Sequence, residues 1–171
     1  MLCRQSALPV SLACLWLASC AGYDLTVNDQ LVYSPPGQFA DFQVGDTALR
    51  DCLTQAIADQ GVTAAEELSA LNCSHAGIGS LDGLATFAGL THLKLSSNRI
   101  LNLLELQRLQ RLQVLHLDGN RVVDHVPIYS LRALRELDLS ANPGLQCPSG
   151  EAFIHLQQLN LPDHCMPSAG S

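Results

Sequence analysis

The chain has 171 residues, 47% of them apolar and only 5% aromatic, with a formal net charge of −7. That length suits one domain, alone or with a tether, and so few aromatics require an aliphatic core. Nothing in the sequence resembles a nucleic-acid footprint, which needs a clustered basic surface.

The first twenty residues read as a targeting segment. Arg4 is the only charge before Asp24, and an apolar stretch runs from Ala7 to Ala18, interrupted by Pro9. It is too short for a bilayer, which takes roughly 20 residues, but suits the core of a secretory signal. It ends in Leu17-Ala18-Ser19-Cys20. This resembles the lipobox of bacterial lipoproteins. The resemblance implies cleavage of residues 1–19 and acylation of the Cys20 thiol; the alternative is an ordinary signal with a chance cysteine. An anchor acylated more than once holds stably to a membrane. Ala21, following the cysteine, resembles the outer-membrane sorting signal of enteric-type bacteria, so the expected location is the bacterial cell envelope and within it the outer membrane.

Residues 20–45 read as a spacer. Leu25 to Tyr33 is expected to form a hairpin around Asn28-Asp29, and Pro35-Pro36-Gly37 breaks the chain. From Cys20 to Asp82 nine acids face one base, Arg50, whereas from Gly83 onward seven acids face seven bases. The acidic part reads as solvated surface, with a patch for a basic partner as the alternative. Residues 46–67 are expected to form a helical cap. Leu49, Cys52, Leu53 and Ile57 share one helical face, Asp46 stands at an N-cap position and Gly61 at a C-cap. Thr63-Ala-Ala-Glu66 has the pattern of a capping box.

A repeat occupies residues 68–166. Leu68-Ser-Ala-Leu71-Asn-Cys73 returns as Leu90-Thr-His-Leu93-Lys-Leu95, Leu112-Gln-Val-Leu115-His-Leu117, Leu134-Arg-Glu-Leu137-Asp-Leu139 and Leu156-Gln-Gln-Leu159-Asn-Leu161, each copy 22 residues after the last. Three positions past each segment stand Ala76, Asn98, Asn120, Asn142 and His164. The Leu-x-Leu alternation predicts a short strand buried on one face. An asparagine after it can turn its amide onto backbone groups of the following bend, so Asn98, Asn120 and Asn142 are expected to form a structural ladder. Gly119-Asn120 and Asn142-Pro143-Gly144 interrupt any longer helix, which disfavours a helical bundle.

This pattern resembles the leucine-rich-repeat family, and the constant length resembles its internalin-type class. The fold implied is a short α/β solenoid of the right-handed β-α superhelix type with an N-terminal helical cap. A single coil cannot stand alone, so stacked neighbours must complete its core. Ala76 and His164 read as atypical terminal repeats. His125 stands where Leu81 and Leu103 stand in earlier copies, and Val123 and Val126 are expected to compensate. Gly144 replaces an Ile, and Leu145 is expected to fill its place. Residues 167–171 are a tail.

Without the signal segment, and with Cys20 acylated, four cysteines remain: Cys52, Cys73, Cys147 and Cys165. An even number in an exported chain points to two disulfides. Cys52 on the inward face of the cap helix and Cys73 at an inward strand position could be stapled together, as could Cys147 and Cys165 near the far end. Three pairings are open to four cysteines, and free thiols are the alternative.

The resemblance places ligand binding on the concave sheet. Its outward residues have no packing duty, and the candidates are His92, Lys94, His116, Asp118, Arg135, Glu136, Asp138, Gln158 and Asn160. His116 and Asp138 are expected to form a surface pair. A zinc site built from His92, His116, Asp118 and Asp138 is disfavoured, since a flat strand array seldom converges three or four ligands on one ion. No metal or other cofactor is expected. The leading reading is a monomeric, membrane-anchored protein that binds an unidentified protein partner and no nucleic acid. The alternatives are a structural envelope spacer and a metal-dependent hydrolase.

Overall fold

The computed structural model describes residues 25–27, 30–33, 39–149 and 152–166. It falls into two compact units, Met1–Pro36 and Gly37–Ser171. In the first, β1 (Leu25–Val27) and β2 (Gln30–Tyr33) pair antiparallel. The expected turn at Asn28-Asp29 lies outside the described residues, as do the signal segment, Cys20, Pro35-Pro36-Gly37 and the tail. No described helix is long and apolar enough to cross a membrane.

The second unit begins its regular structure with helix α1 (Thr47–Gln60). The Asp46 carboxylate accepts from Leu49 N at 3.1 Å, and Gly61 ends the helix at φ 63°, a left-handed conformation that glycine adopts without steric cost. Leu49, Leu53 and Ile57 are buried and Cys52 half-buried, as the apolar spacing requires. A 3-10 turn follows at Ala65–Glu67. The carboxylate that closes it belongs to Glu67 and not to the expected Glu66. Its Oε2 accepts from Thr63 N at 2.8 Å, Thr63 Oγ1 at 2.9 Å and Ala64 N at 3.2 Å. The turn starts one residue later than the sequence pattern implied, so the third position within it is Glu67.

Five strands, β3 (Ala70–Asn72), β4 (His92–Lys94), β5 (Val114–His116), β6 (Glu136–Asp138) and β7 (Gln158–Asn160), form one parallel sheet in chain order. Leu71, Leu93, Leu115, Leu137 and Leu159 stand side by side, so the repeat length is also the sheet register. Opposite the strands run 3-10 turns, Leu84–Thr86, Leu104–Arg108 and Val126–Ser130, where the resemblance implied helices. A 3-10 turn rises about 2.0 Å per residue against 1.5 Å for an α-helix. It therefore crosses the back of a 22-residue coil with fewer residues.

Each coil turns a corner just after its strand. His75, Ser97, Gly119 and Ala141 occupy that corner at φ 61°, 57°, 66° and 52°. Asparagine follows and ties two coils together. Asn120 Nδ2 donates to Leu117 O of its own coil and Leu95 O of the preceding one, both at 2.9 Å, while its Oδ1 accepts from Ile100 N at 3.1 Å. Asn98 binds Cys73 O, Leu95 O and the amides of Gly77 and Ile78. Asn142 binds Leu117 O, Leu139 O and Val122 N. Every ladder asparagine reaches back one coil. Ala76 has no preceding coil to reach, which explains the missing amide. His164 keeps part of the role, with Nε2 3.0 Å from Leu145 O.

The departures inside the repeat resolve unevenly. Leu145 fills the space left by Gly144 and is buried. Val123 and Val126 remain exposed, contrary to expectation, and His125 itself occupies the leucine position. Its ring packs on Tyr129 and Phe153, with centroids 5.3 and 5.9 Å away, and these aromatics supply the apolar wall. Nδ1 is buried without a partner.

Candidate binding face

The sheet directs Leu71, Leu93, Leu115 and Leu137 into the core, and the alternate residues of β3 to β7 outward. Outward side chains of adjacent strands meet because the register is constant. Ser96 Oγ donates to Asp118 Oδ1 at 2.6 Å. His116 Nε2 lies 2.8 Å from Glu136 Oε1. Asp138 accepts from Ser140 Oγ at 2.6 Å, Ser140 N at 2.9 Å and Asn160 Nδ2 at 2.8 Å.

The expected His116–Asp138 pair is therefore replaced. The two residues are register partners, but Asp138 is already held by Ser140 and Asn160, leaving the imidazole to Glu136, two residues earlier on the same strand and face. Burial acts to raise the Asp138 pKa. Hydrogen bonds from the Ser140 hydroxyl, Asn160 and the Ser140 amide, with the His116 charge, outweigh it and hold the carboxyl below its ordinary value.

His92, Lys94, Arg135 and Gln158 are exposed, and His116, Asp118, Glu136, Asp138 and Asn160 half-buried. His92 Nδ1 lies 2.9 Å from Thr91 Oγ1. The face thus has an ordered polar half on β5 to β7 and freer side chains elsewhere. His92, His116, Asp118 and Asp138 do not gather as a metal would require. Among the described residues, the group of three possible ligand atoms within 4.8 Å is Cys147, His164 and Cys165. Its two sulfurs are bonded to each other.

The disulfides are Cys52–Cys73 and Cys147–Cys165. The first joins α1 to the residue that follows β3, the strand that opens the sheet. Asp46 makes a second link that its capping role did not reveal: Oδ2 accepts from Gly79 N at 2.8 Å and Ser80 N at 3.1 Å in the first coil. Burial would raise its pKa, but bonds from Gly79, Leu49, Ser80 and Ala48 lower it overall.

No protein-family model matches the chain, and no curated protein matches it. Solved structures do. Internalin C2 from Listeria monocytogenes is similar over 68% of this chain and 64% of its own, with TM-score 0.56 and 20% identity. An internalin F from the same organism is similar over 67% and 42%, with TM-score 0.51 and 22% identity. A leucine-rich-repeat protein from Leptospira interrogans is 31% identical over 56% of this chain and 26% of its own, with TM-score 0.51. The chain spans less than two thirds of each of these proteins. The fold is accordingly a leucine-rich-repeat solenoid like that of the internalins, with a helical cap at its first coil.

Proposed function

We propose that this chain is a lipid-anchored protein of the bacterial envelope that binds a protein partner on its concave sheet and catalyses no reaction. The observation that carries the reading is the constant register of β3 to β7. It presents rows of polar side chains on a rigid backbone, and packing does not constrain their identity. Mutual hydrogen bonds hold Asp118, His116, Glu136, Asp138 and Asn160 in defined positions before any partner arrives. Such preorganisation lowers the entropy cost of association. Aromatic anchors of the kind that dominate tight interfaces are missing from the face, so affinity is expected to be modest. The Leu17-Ala18-Ser19-Cys20 motif supports the anchor and the envelope location.

The test uses the full chain expressed in its native envelope, with a photocrosslinking residue at Lys94 or Gln158. A saturable adduct is expected at these positions and not at Arg99, which lies past the strands. His116→Ala with Glu136→Lys should weaken it at least several-fold. Metabolic labelling with an alkyne fatty acid should mark the protein and fail in Cys20→Ser. Equal crosslinking at Arg99 and Lys94, or no effect of the double substitution, overturns the concave-face assignment.

A further inference from the structure

Four of the nine basic residues of this acidic chain lie on a separate surface. Gln107-Arg-Leu-Gln-Arg-Leu-Gln113 and Tyr129-Ser-Leu-Arg-Ala-Leu-Arg135 lead from the 3-10 turns into β5 and β6. In these segments Leu109, Leu112, Leu131 and Leu134 are buried, and Arg108, Arg111, Arg132 and Arg135 are exposed. Neither segment contains a carboxylate. No ion pair among the described residues involves any of the four arginines.

The two segments stack. Arg135 N donates to Gln113 O at 2.8 Å, and Ser130 Oγ lies 3.5 Å from Gln107 O. The repeat phase then sets Arg108 beside Ser130, Arg111 beside Ala133, Arg132 beside Gln110 and Arg135 beside Gln113. Each arginine has a neutral neighbour in the facing coil, so no two of the four are register partners. At the same phase as Arg132, in the next coil, stands Ile154, 83% exposed.

We propose that this edge docks on an anionic membrane surface, with the arginines binding lipid phosphates and Ile154 entering the interfacial layer. Guanidinium groups match phosphate oxygens in bidentate geometry. An exposed aliphatic side chain beside a basic cluster suits a headgroup boundary. A single-stranded nucleic acid calls for aromatic platforms as well as charge, and Tyr129 is instead packed against His125 and Phe153. Glu66 and Glu67 share the repeat phase of this edge but belong to the first coil. They are two strand spacings, about 10 Å, from the coil of Arg108 and Arg111, roughly a Debye length in 0.1 M salt. The acidic cap therefore does not cancel the patch.

The surface is distinct from the concave face except at Arg135, which borders both, so the test leaves Arg135 unchanged. The full chain carrying Cys20→Ser is sedimented with vesicles of phosphatidylcholine alone and of phosphatidylcholine with a quarter phosphatidylglycerol. The segment before residue 20, Arg4 included, is common to every variant and cancels when their anionic preferences are compared. Wild-type binding should favour the anionic vesicles tenfold or more, on the order of fivefold per arginine engaged, and the preference should collapse in high salt. Arg108→Gln/Arg111→Gln/Arg132→Gln should abolish most of it, while Arg99→Gln/Arg121→Gln on the opposite edge should not. Equal binding to both vesicles, or a preference untouched by the triple substitution, overturns the proposal. So does retention on heparin or DNA without any vesicle preference, which would identify a soluble polyanion.

Discussion

The two buried polar side chains that differ most in their surroundings are Asn120 and His125. Asn120 donates to three carbonyls and accepts from one amide across two coils. Asn120→Ala orphans the buried Ile100 amide, while Leu95 O and Leu117 O each lose one of two donors and keep Asn98 and Asn142. A loss of about 1–3 kcal/mol is therefore expected in urea denaturation, the cost of one unsatisfied buried group. His125 is the opposite case, because its Nδ1 is already orphaned. His125→Leu restores the residue type of the earlier coils and should stabilise the fold by roughly 1–2 kcal/mol. It should also change the pH response. Burial, opposed by the Asp124 charge, lowers the histidine pKa from its ordinary value of 6.5. The unfolded chain therefore binds this proton at a higher pH than the folded one. The associated stability is complete above pH 6.5 and is lost as pH falls through the folded pKa. Denaturation at pH 7.5 and pH 5 should show this component in the wild type and not in His125→Leu. The substitution at this position was visible in the sequence, but its solution was not. A leucine-to-histidine change identifies an anomaly, whereas the aromatic wall that accepts it joins Tyr129 of the same coil to Phe153 of the next.

At the scale of elements, the cap helix and the strands were legible because each rests on local chemistry. Asp46 and Gly61 bound the helix, and Leu-x-Leu spacing sets the strand face. What joins elements was less legible. The second carboxylate oxygen of Asp46 bonds to residues 33 and 34 positions away, a distance no local motif encodes. Asp46→Ala removes both the cap and that link, and should cost about 1–2 kcal/mol or more. Because its folded pKa is depressed below 3.8, its contribution is present above that pH and disappears as pH falls through the folded value. Asp46→Ala should thus flatten the acid limb of the stability profile. The arginine edge was hidden for a related reason. Seven acids and seven bases from Gly83 onward sum to zero, and only the fold separates them onto different surfaces. The alternation of Arg and Gln around buried leucines in residues 107–113 was the available signal.

The second unit is a stack in which each coil is stabilised by its neighbours, and the two ends of the stack are treated differently. At the first coil α1 covers the core, fastened by Cys52–Cys73 and Asp46. At the last coil Leu156, Leu159 and Leu161 are only half-buried, although Leu134, Leu137 and Leu139 one coil earlier are 2%, 0% and 0% exposed. A coil with one neighbour and partly wetted leucines opens at lower free energy than one held on both sides. Amide exchange should therefore be fastest in β7, although Gln157 N and Gln158 N both bond to Arg135 O, and slowest in β4 and β5. The Cys147–Cys165 bridge ties the last coil to the one before it. Cys147→Ser/Cys165→Ser should accelerate exchange in β7 and leave β4 and β5 nearly unchanged. Cys52→Ser/Cys73→Ser should act globally, at a cost of about 3 kcal/mol for a loop of this length, because loss of the cap exposes the coil from which the stack is protected. If β7 exchanges no faster than β5 in the intact protein, the nearest-neighbour account of this solenoid is wrong, and the half-buried leucines must be covered by something beyond the chain's own coils.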